Sequence, residues 1–300
     1  MSEQVYDVLY IGNYTKDTII SPAGTKYVDG GAVNYAAHAA ASLGKHVAVV
    51  TRLAQEDDRV VKGFIEDGID CYATYTPSST LMQLEYPSND PDIRTLSVRG
   101  TAGTITAADV KDLKAKAAVI GPSIRGEVGL DVIKALKDNG ILVAADMQGY
   151  VRVLRGIELK YEPWPEMAEF LSHINIVKSD AVEAEALTHE TDHLKAAKFY
   201  ADMGPKEIVL THRDGVVIYA DGKACEFGFF PEQMSGRSGR GDTCVGTYTA
   251  MRLEKSPCEA GKWAAAVTSL KMERLGPFKR SISEVEAFIH DKYNHGSVCD

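Results

Sequence analysis

The sequence predicts an α/β protein: a parallel sheet buried on both faces, with a smaller set of strands outside it. Three observations carry that expectation. From Thr106 onward, short apolar runs alternate with helix-compatible stretches, the pattern of βαβ units. Residues 141–146 are wholly apolar up to an acid at the tip, as strands of a doubly covered parallel sheet are. Residues 80–86 and 93–99 instead alternate in polarity around Pro87-Ser88-Asn89-Asp90-Pro91-Asp92, which is hairpin chemistry and suggests a second, smaller sheet.

The elements follow in order. Val5–Ile11 is a β-rich, alternating strand that ends at Gly12. Residues 13–17 lie at its carboxyl end, where open α/β sheets place ligands. Residues 18–20 and 26–28 read as two short strands about Ser21-Pro22-Ala23-Gly24. Gly30-Gly31-Ala32-Val33-Asn34 opens an alanine-rich helix over 32–43, closed by Gly44. A strand at 46–52, a helix at 58–67 ended by Gly68 and a strand at 69–76 come next. After the hairpin, helices are expected at 108–114, 126–139, 163–172, 181–187 and 194–203. Strands are expected at 117–120, 141–146, 174–178 and 207–211, then a hairpin of 216–219 and 223–227 across Asp221-Gly222. Helices over 243–252, 257–274 and 283–293 complete the chain.

Composition narrows the function. The 300 residues suit one large domain. A hydrophobic share of 45% with 25% charged residues is that of a globular chain with a large core. The net charge of -9 argues against a nucleic-acid partner. The start, MSEQVYDVLYIG, lacks a signal peptide's basic and apolar regions, and no run approaches the roughly 18 apolar residues of a membrane span. A cytoplasmic location and no membrane partner are the expectations. Cys71, Cys225, Cys244, Cys258 and Cys299 are odd in number and scattered, which fits reduced thiols and supports neither zinc nor a disulfide framework. Cys244 reads as a small apolar helix residue.

The chemistry concentrates in Ser238-Gly239-Arg240-Gly241-Asp242-Thr243-Cys244-Val245-Gly246. A glycine-rich turn runs straight into a helix. The first N–H groups of a helix lack intrahelical partners, and with the dipole they form an anion site. Gly239 and Gly241 let successive N–H groups converge on one anion. An acid at that rim repels an anion unless it removes a proton as charge develops. This pairing points to phosphoryl transfer onto an alcohol. Taken alone, the turn is also an ordinary helix start capped by Asp or Ser.

The chain as a whole resembles the ribokinase-like, or PfkB, family of carbohydrate kinases. Gly30-Gly31-x-x-Asn34 with the small-residue helix and Leu43-Gly44 resembles the family's N-terminal signature. Gly239-Arg240-Gly241-Asp242 resembles its Gly-Ala-Gly-Asp signature, and both lie in register in a chain of the right size. The resemblance implies a central, mostly parallel sheet flanked by helices, a single kinase domain over 1–300, and a small β lid drawn from about 13–30 and 70–100. It implies ATP as donor with Mg²⁺, and it admits a monovalent cation. The acceptor is a sugar, a polyol such as inositol, or a nucleoside. A homodimer through the lid is a further expectation.

The resemblance also implies roles. Asp242 is the base, and the Gly239–Asp242 backbone, with Arg240 and Gly241, is the anion hole. Asp17 and Asn34 hold substrate hydroxyls, and Gly30 and Gly31 let backbone approach the substrate. Thr211 and Gly215, with Gly239 and Gly241, border the nucleotide. Glu183, in Asp180-x-x-Glu183, is tied to Mg²⁺. For Asp17 a strand-end acid, for Asn34 a helix cap, and for Glu183 an acidic helix start are the plain structural alternatives.

Three departures stand out. Arg240 replaces the signature's alanine, and Gly236 and Arg237 replace the Asp and Thr before it. Thr211-His212-Arg213-Asp214-Gly215 is one residue short of the family's Thr-x-Gly-x-x-Gly, and His212 reads as a loop residue. Asp146-Met147-Gln148-Gly149 with Arg152 stands where many members carry Asp-x-Asn-x-Arg, and together with the Arg240 loop it resembles the branch containing inositol kinases more than ribokinase itself. Arg99, at the end of the lid hairpin, reads either as a residue reaching the acceptor or as a surface strand residue. Two other classes remain to be weighed. A non-catalytic sugar sensor on this fold is expected to lose Asp242 or the glycines, which this chain keeps. A nicotinamide-dependent dehydrogenase needs G-x-G-x-x-G after the first strand, where this chain has Gly12-Asn13-Tyr14-Thr15.

Overall fold

The computed structural model describes residues 4–88 and 95–293. The centre of the expected hairpin, Asn89-Asp90-Pro91-Asp92, lies outside them. The chain runs β1 (Val5–Ile11), β2 (Thr15–Ser21), β3 (Gly24–Gly30), α1 (Ala32–Ser42), β4 (Val47–Ala54), α2 (Asp58–Glu66) and β5 (Asp70–Thr76). Then come β6 (Thr80–Glu85), β7 (Thr95–Gly100), β8 (Lys114–Ile120), α3 (Leu130–Asp138), β9 (Leu142–Asp146), α4 (Gln148–Val151), β10 (Arg152–Arg155), β11 (Glu158–Tyr161) and α5 (Met167–Leu171). The last part is β12 (Ile176–Asp180), α6 (Ala181–Thr188), α7 (His193–Ala201), β13 (Glu207–Thr211), β14 (Gly215–Ala220), β15 (Lys223–Gly228), α8 (Arg240–Arg252), α9 (Pro257–Met272) and α10 (Ile282–Tyr293).

These strands make two sheets. The larger has the order β15-β14-β13-β12-β9-β8-β1-β4-β5, parallel from β13 through β5 and antiparallel only in the β13-β14-β15 meander. Alternate residues of its strands enter separate cores. Val8, Tyr10, Val47 and Val119 pack with α1, α8 and α9. Leu9, Ile11, Val50 and Ile120 pack with α3, α5 and α7. Both faces are therefore covered, which is why the central strands read as unbroken apolar runs. The expected α/β class with a mostly parallel, helix-flanked sheet is borne out.

The smaller sheet has the order β10-β11-β7-β6-β2-β3. It corrects the expected source of the lid strands. Residues 70–76 form β5, which pairs with β4 at the edge of the large sheet. The small sheet instead takes β10 and β11, a hairpin with Arg152 opposite Tyr161. Three expected helices are also shorter, and the one over 126–139 begins only at Leu130. Residues 107–114 hold only a 3-10 turn, because Thr106 and Asp109 cap each other and the chain re-enters the sheet at Lys114. The helix expected over 163–172 starts at Met167, after Pro163 and Pro165, which favour extended backbone before them.

Cys225 in β15 and Cys258 in α9 are joined as a disulfide, with Cα atoms 5.8 Å apart. This corrects the expectation of unpaired thiols there. Scattered spacing carries no pairing signal, and only the packing of α9 across β15 brings the two together. Cys71 and Cys244 are free, and Cys244 is buried in the core as expected. No helix among the described residues is long and apolar enough to cross a membrane.

The layout positions one crevice. β1 lies between β4 and β8, so the winding of the sheet changes direction there, which is where such sheets bind ligands. The backbones close in at that point: a Cβ on Gly12 would lie 2.4 Å from the Gly121 carbonyl oxygen. α8 packs against α1 as well, with Gly246 seated on Ala36.

Candidate active site

The start of α8 lies over the carboxyl ends of the central strands. Gly239 caps it in the left-handed region, φ 77°, and an added Cβ would lie 2.1 Å from the Tyr35 ring. Arg240 N–H donates to Arg237 O at 3.2 Å and Thr243 N–H to Gly239 O at 2.9 Å. The N–H groups of Gly241 and Asp242 fall between these, in the first turn, where the helix itself supplies no acceptor. Together with the positive end of the dipole, such groups are chemically suited to an anion.

A lysine lies beside the hole. A Cβ on Gly241 would be 2.6 Å from Lys178 Nζ. That buried ammonium is 3.0 Å from Asp146 Oδ2 and 3.6 Å from Glu183 Oε2. Burial works against its charge, but Asp146 and Glu183 together hold it charged, above the ordinary lysine range. Asp242, at the rim, is pushed up to about 6. Burial is the main cause and the like charge of Asp146 adds to it, while Lys178, Arg152 and Lys271 oppose.

The lid contributes the other side. Asp17 on β2 has an inward Oδ1 with no hydrogen-bond partner. Burial raises its carboxyl to about 6, with Asp29 adding and Thr15 and Arg152 opposing. Gly30 makes room for it, since a Cβ there would lie 2.3 Å from Asp17 Oδ2. Gly31, at φ 93°, would meet the Asn13 carbonyl oxygen at 2.8 Å. Arg152, buried on β10, lowers the pKa of Asp17, Glu183 and Asp242 through its positive charge.

The remaining expected residues divide. Asn34 is not the cap of α1, since Gly31 is. It is buried, and its Nδ2 donates to the Asp29 carbonyl of β3 at 3.1 Å, which ties helix to lid. Thr211 ends β13 beside Asp180 of β12, and its buried Oγ1 has no partner. Gly215 begins β14 and accepts the His212 N–H at 2.9 Å, a turn position. His212 lies 3.3 Å from Glu226 and stacks on His193, away from the rim. Arg240 donates to the Arg213 carbonyl at 3.4 Å and lies over the Phe229 ring at 6.0 Å, so it leans toward the 211–215 turn.

For Mg²⁺, the chemistry of the donor set decides. Glu183 Oε2 accepts the Asp180 N–H at 2.8 Å within a reciprocal capping box, while its buried Oε1 has no partner. No group of three or more His, Cys, Asp or Glu able to hold a metal occurs among the described residues. The residues fit a hydrated Mg²⁺ that arrives with donor phosphates, not a metal held by protein alone.

Sequence reasoning missed Lys178, Lys271 and Glu127. Glu127 is buried, accepts the Asn13 and Ser123 N–H groups, and is raised to about 7 by burial, which those bonds oppose. The available signal was charge out of place: a lysine in the strand Ile-Val-Lys-Ser-Asp, and another among small residues of α9, each calls for a buried partner.

Comparison with known proteins identifies a phosphotransferase with a hydroxyl acceptor. The pfkB family carbohydrate kinase model matches residues 6–281, and the chain belongs to that family. The resemblance seen in the sequence is thus borne out. A cytidine kinase of Thermococcus kodakarensis is 25% identical over 261 residues, 84% of this chain and 91% of that protein. A pyrophosphate-dependent kinase in the ribokinase family, solved with sulfate, superposes with TM-score 0.87 at 31% identity, covering 93% of this chain and 99% of that chain. Arabidopsis thaliana ribokinase, solved with ribose and ATP, gives TM-score 0.76 at 18% identity, covering 95% and 99%; that likeness is one of fold.

Proposed function

We propose that this kinase phosphorylates a hydroxyl of a polyol of the inositol type, with Asp242 as base and the Gly239–Asp242 backbone as anion hole. The observation that carries the mechanism is the placement of Asp242 at the rim of the hole, beside Lys178. The hydroxyl is bound between Asp17 and Asp242. Asp242 takes its proton as the bond to phosphorus forms, and the N–H groups with Lys178 receive the charge on the migrating phosphoryl group. Glu183, whose buried Oε1 has no partner, would hold a hydrated Mg²⁺ bound with the donor, and such an ion would supply neutralisation of phosphate charge.

The acceptor reading rests on chemistry and on likeness. Asp17 and Arg152 offer an acceptor and a donor set suited to several hydroxyls. A pyrophosphate-dependent kinase of the ribokinase family solved with myo-inositol is 30% identical over 93% of this chain, above the 25% of the cytidine kinase. ATP is the donor implied by the family. Pyrophosphate is a second reading, favoured by Arg240, which sets a cation where the signature has alanine and leans over the shortened 211–215 turn. Pairing of two copies along the exposed lid strand β3, where Tyr27 is 79% exposed, is tested by light scattering.

The test is product formation from MgATP and from Mg-pyrophosphate against inositols, pentoses, hexoses and nucleosides. Turnover of an inositol supports the acceptor reading; exclusive turnover of a nucleoside overturns it. Arg237→Ala and Arg240→Ala should weaken donor affinity, and unchanged donor KM in both would remove them from the donor site. Tight binding with no turnover of any acceptor would revive the sensing alternative.

A further inference from the structure

Lys271, near the end of α9, is a second buried ammonium at the site, and it differs from Lys178. It is 2% exposed. Its Nζ donates to the Gly236 carbonyl at 2.9 Å and to the Ser238 carbonyl. Its other side faces the Tyr35 ring, 5.1 Å from the centroid. Among the described residues no carboxylate lies within ion-pairing distance of it, although buried lysines ordinarily have such a partner. Its ligands are carbonyl oxygens of the loop that leads into Gly239, together with a ring face. Converging carbonyls are what a hard monovalent cation seeks. Here they are already filled, so the residues do not fit a separate ion at this place.

We propose that the Lys271 ammonium is a built-in monovalent cation: it holds loop 236–239 in the shape that makes the anion hole, and turnover needs no added alkali ion. The inference rests on the kinase reading above. The same Tyr35 ring that covers Lys271 also packs against Gly239, so the ammonium, the ring and the start of the hole form one stack. The Lys271 ammonium is taken up by the loop carbonyls and the ring, so Lys271 acts as a positioning residue. Burial draws its pKa down to about 8, with Asp242 opposing, so it is charged at neutral pH.

The experiment compares wild type and Lys271→Ala in buffers whose only cation, apart from the Mg²⁺ supplied with the donor, is tetramethylammonium, with and without added K⁺, NH₄⁺ or methylammonium. Wild-type turnover should change by no more than about twofold on addition. Lys271→Ala should lose about a hundredfold in kcat with a smaller change in acceptor KM. Added K⁺ or NH₄⁺ should restore about tenfold or more and raise the variant's Tm. A wild type that requires K⁺, a variant that keeps full kcat in tetramethylammonium, or a loss that no cation restores each overturns the inference. Lys271→Met, which keeps the stem, replaces an alanine variant that does not fold, and the wild-type arm needs no variant. If no acceptor turns over, the kinase reading fails separately. The Tm arm still decides the inference, because only the lysine variant should be stabilised by K⁺ or NH₄⁺.

Discussion

Gly239 packs face-on against Tyr35, so closely that an added Cβ would lie 2.1 Å from the ring. The contact joins the first helix of the chain to the start of α8. Gly239→Ala must push the ring and also strain a backbone at φ 77°. Expected is a loss of about 1–3 kcal/mol of stability together with reduced turnover, read by denaturant unfolding and kcat. An alanine variant that matches wild type in both would show that the ring does not shape the hole.

Asp242→Asn keeps the shape and removes the base. Turnover should fall by at least about a hundredfold, while acceptor KM changes little. The Tm at neutral pH should hold or rise. The sign follows from the raised pKa: the folded state favours the protonated acid, so its ionisation costs stability as pH climbs from the ordinary 3.8 through about 6. A variant with wild-type kcat would discard the proposed base.

The acid limb of kcat/KM tests the two carboxyls together. Asp242 and Asp17 are both pushed up to about 6, and both act ionised. Activity should therefore fall as pH drops through that value, more steeply than one proton allows. In Asp17→Asn the limb should reduce to a single ionisation, with acceptor KM raised about tenfold or more by loss of a charged hydrogen bond. An unchanged slope and KM would place Asp17 outside the acceptor site.

Much of the candidate site was legible in the sequence, for a physical reason. Gly30, Gly31, Gly239 and Gly241 each stand where a side chain would collide, so their spacing survives in the sequence as motif. The apolar strands read correctly because both sheet faces are buried. Other features left no local trace. β5 followed a polar turn into the hairpin and so read as lid, although its pairing with β4 is a long-range fact. β10 and β11 are four residues each and rich in charge; β10 lacks alternation, and β11, which has it, is too short for the pattern to stand out. Lys178 and Lys271 were passed over because periodicity counts apolar residues and ignores the charge set among them.

Lys178→Met removes the cation that sits between Asp146 and Glu183. Two buried acids are then left facing each other, which should destabilise the fold by about 3–5 kcal/mol and lower kcat. Combining it with Glu183→Gln should recover part of the stability and none of the turnover. If the single variant unfolds in urea like wild type, the ammonium is not holding the cluster together.

The six-stranded sheet is assembled from β2 and β3, from β6 and β7, and from β10 and β11, with large-sheet strands intervening between each pair. The chain leaves the large sheet and returns to it three times. Acceptor recognition is therefore not a module that one crossover can exchange between relatives. A chimera with a new acceptor preference needs three coordinated segments, and gradual divergence by point substitution is the easier evolutionary path for this architecture.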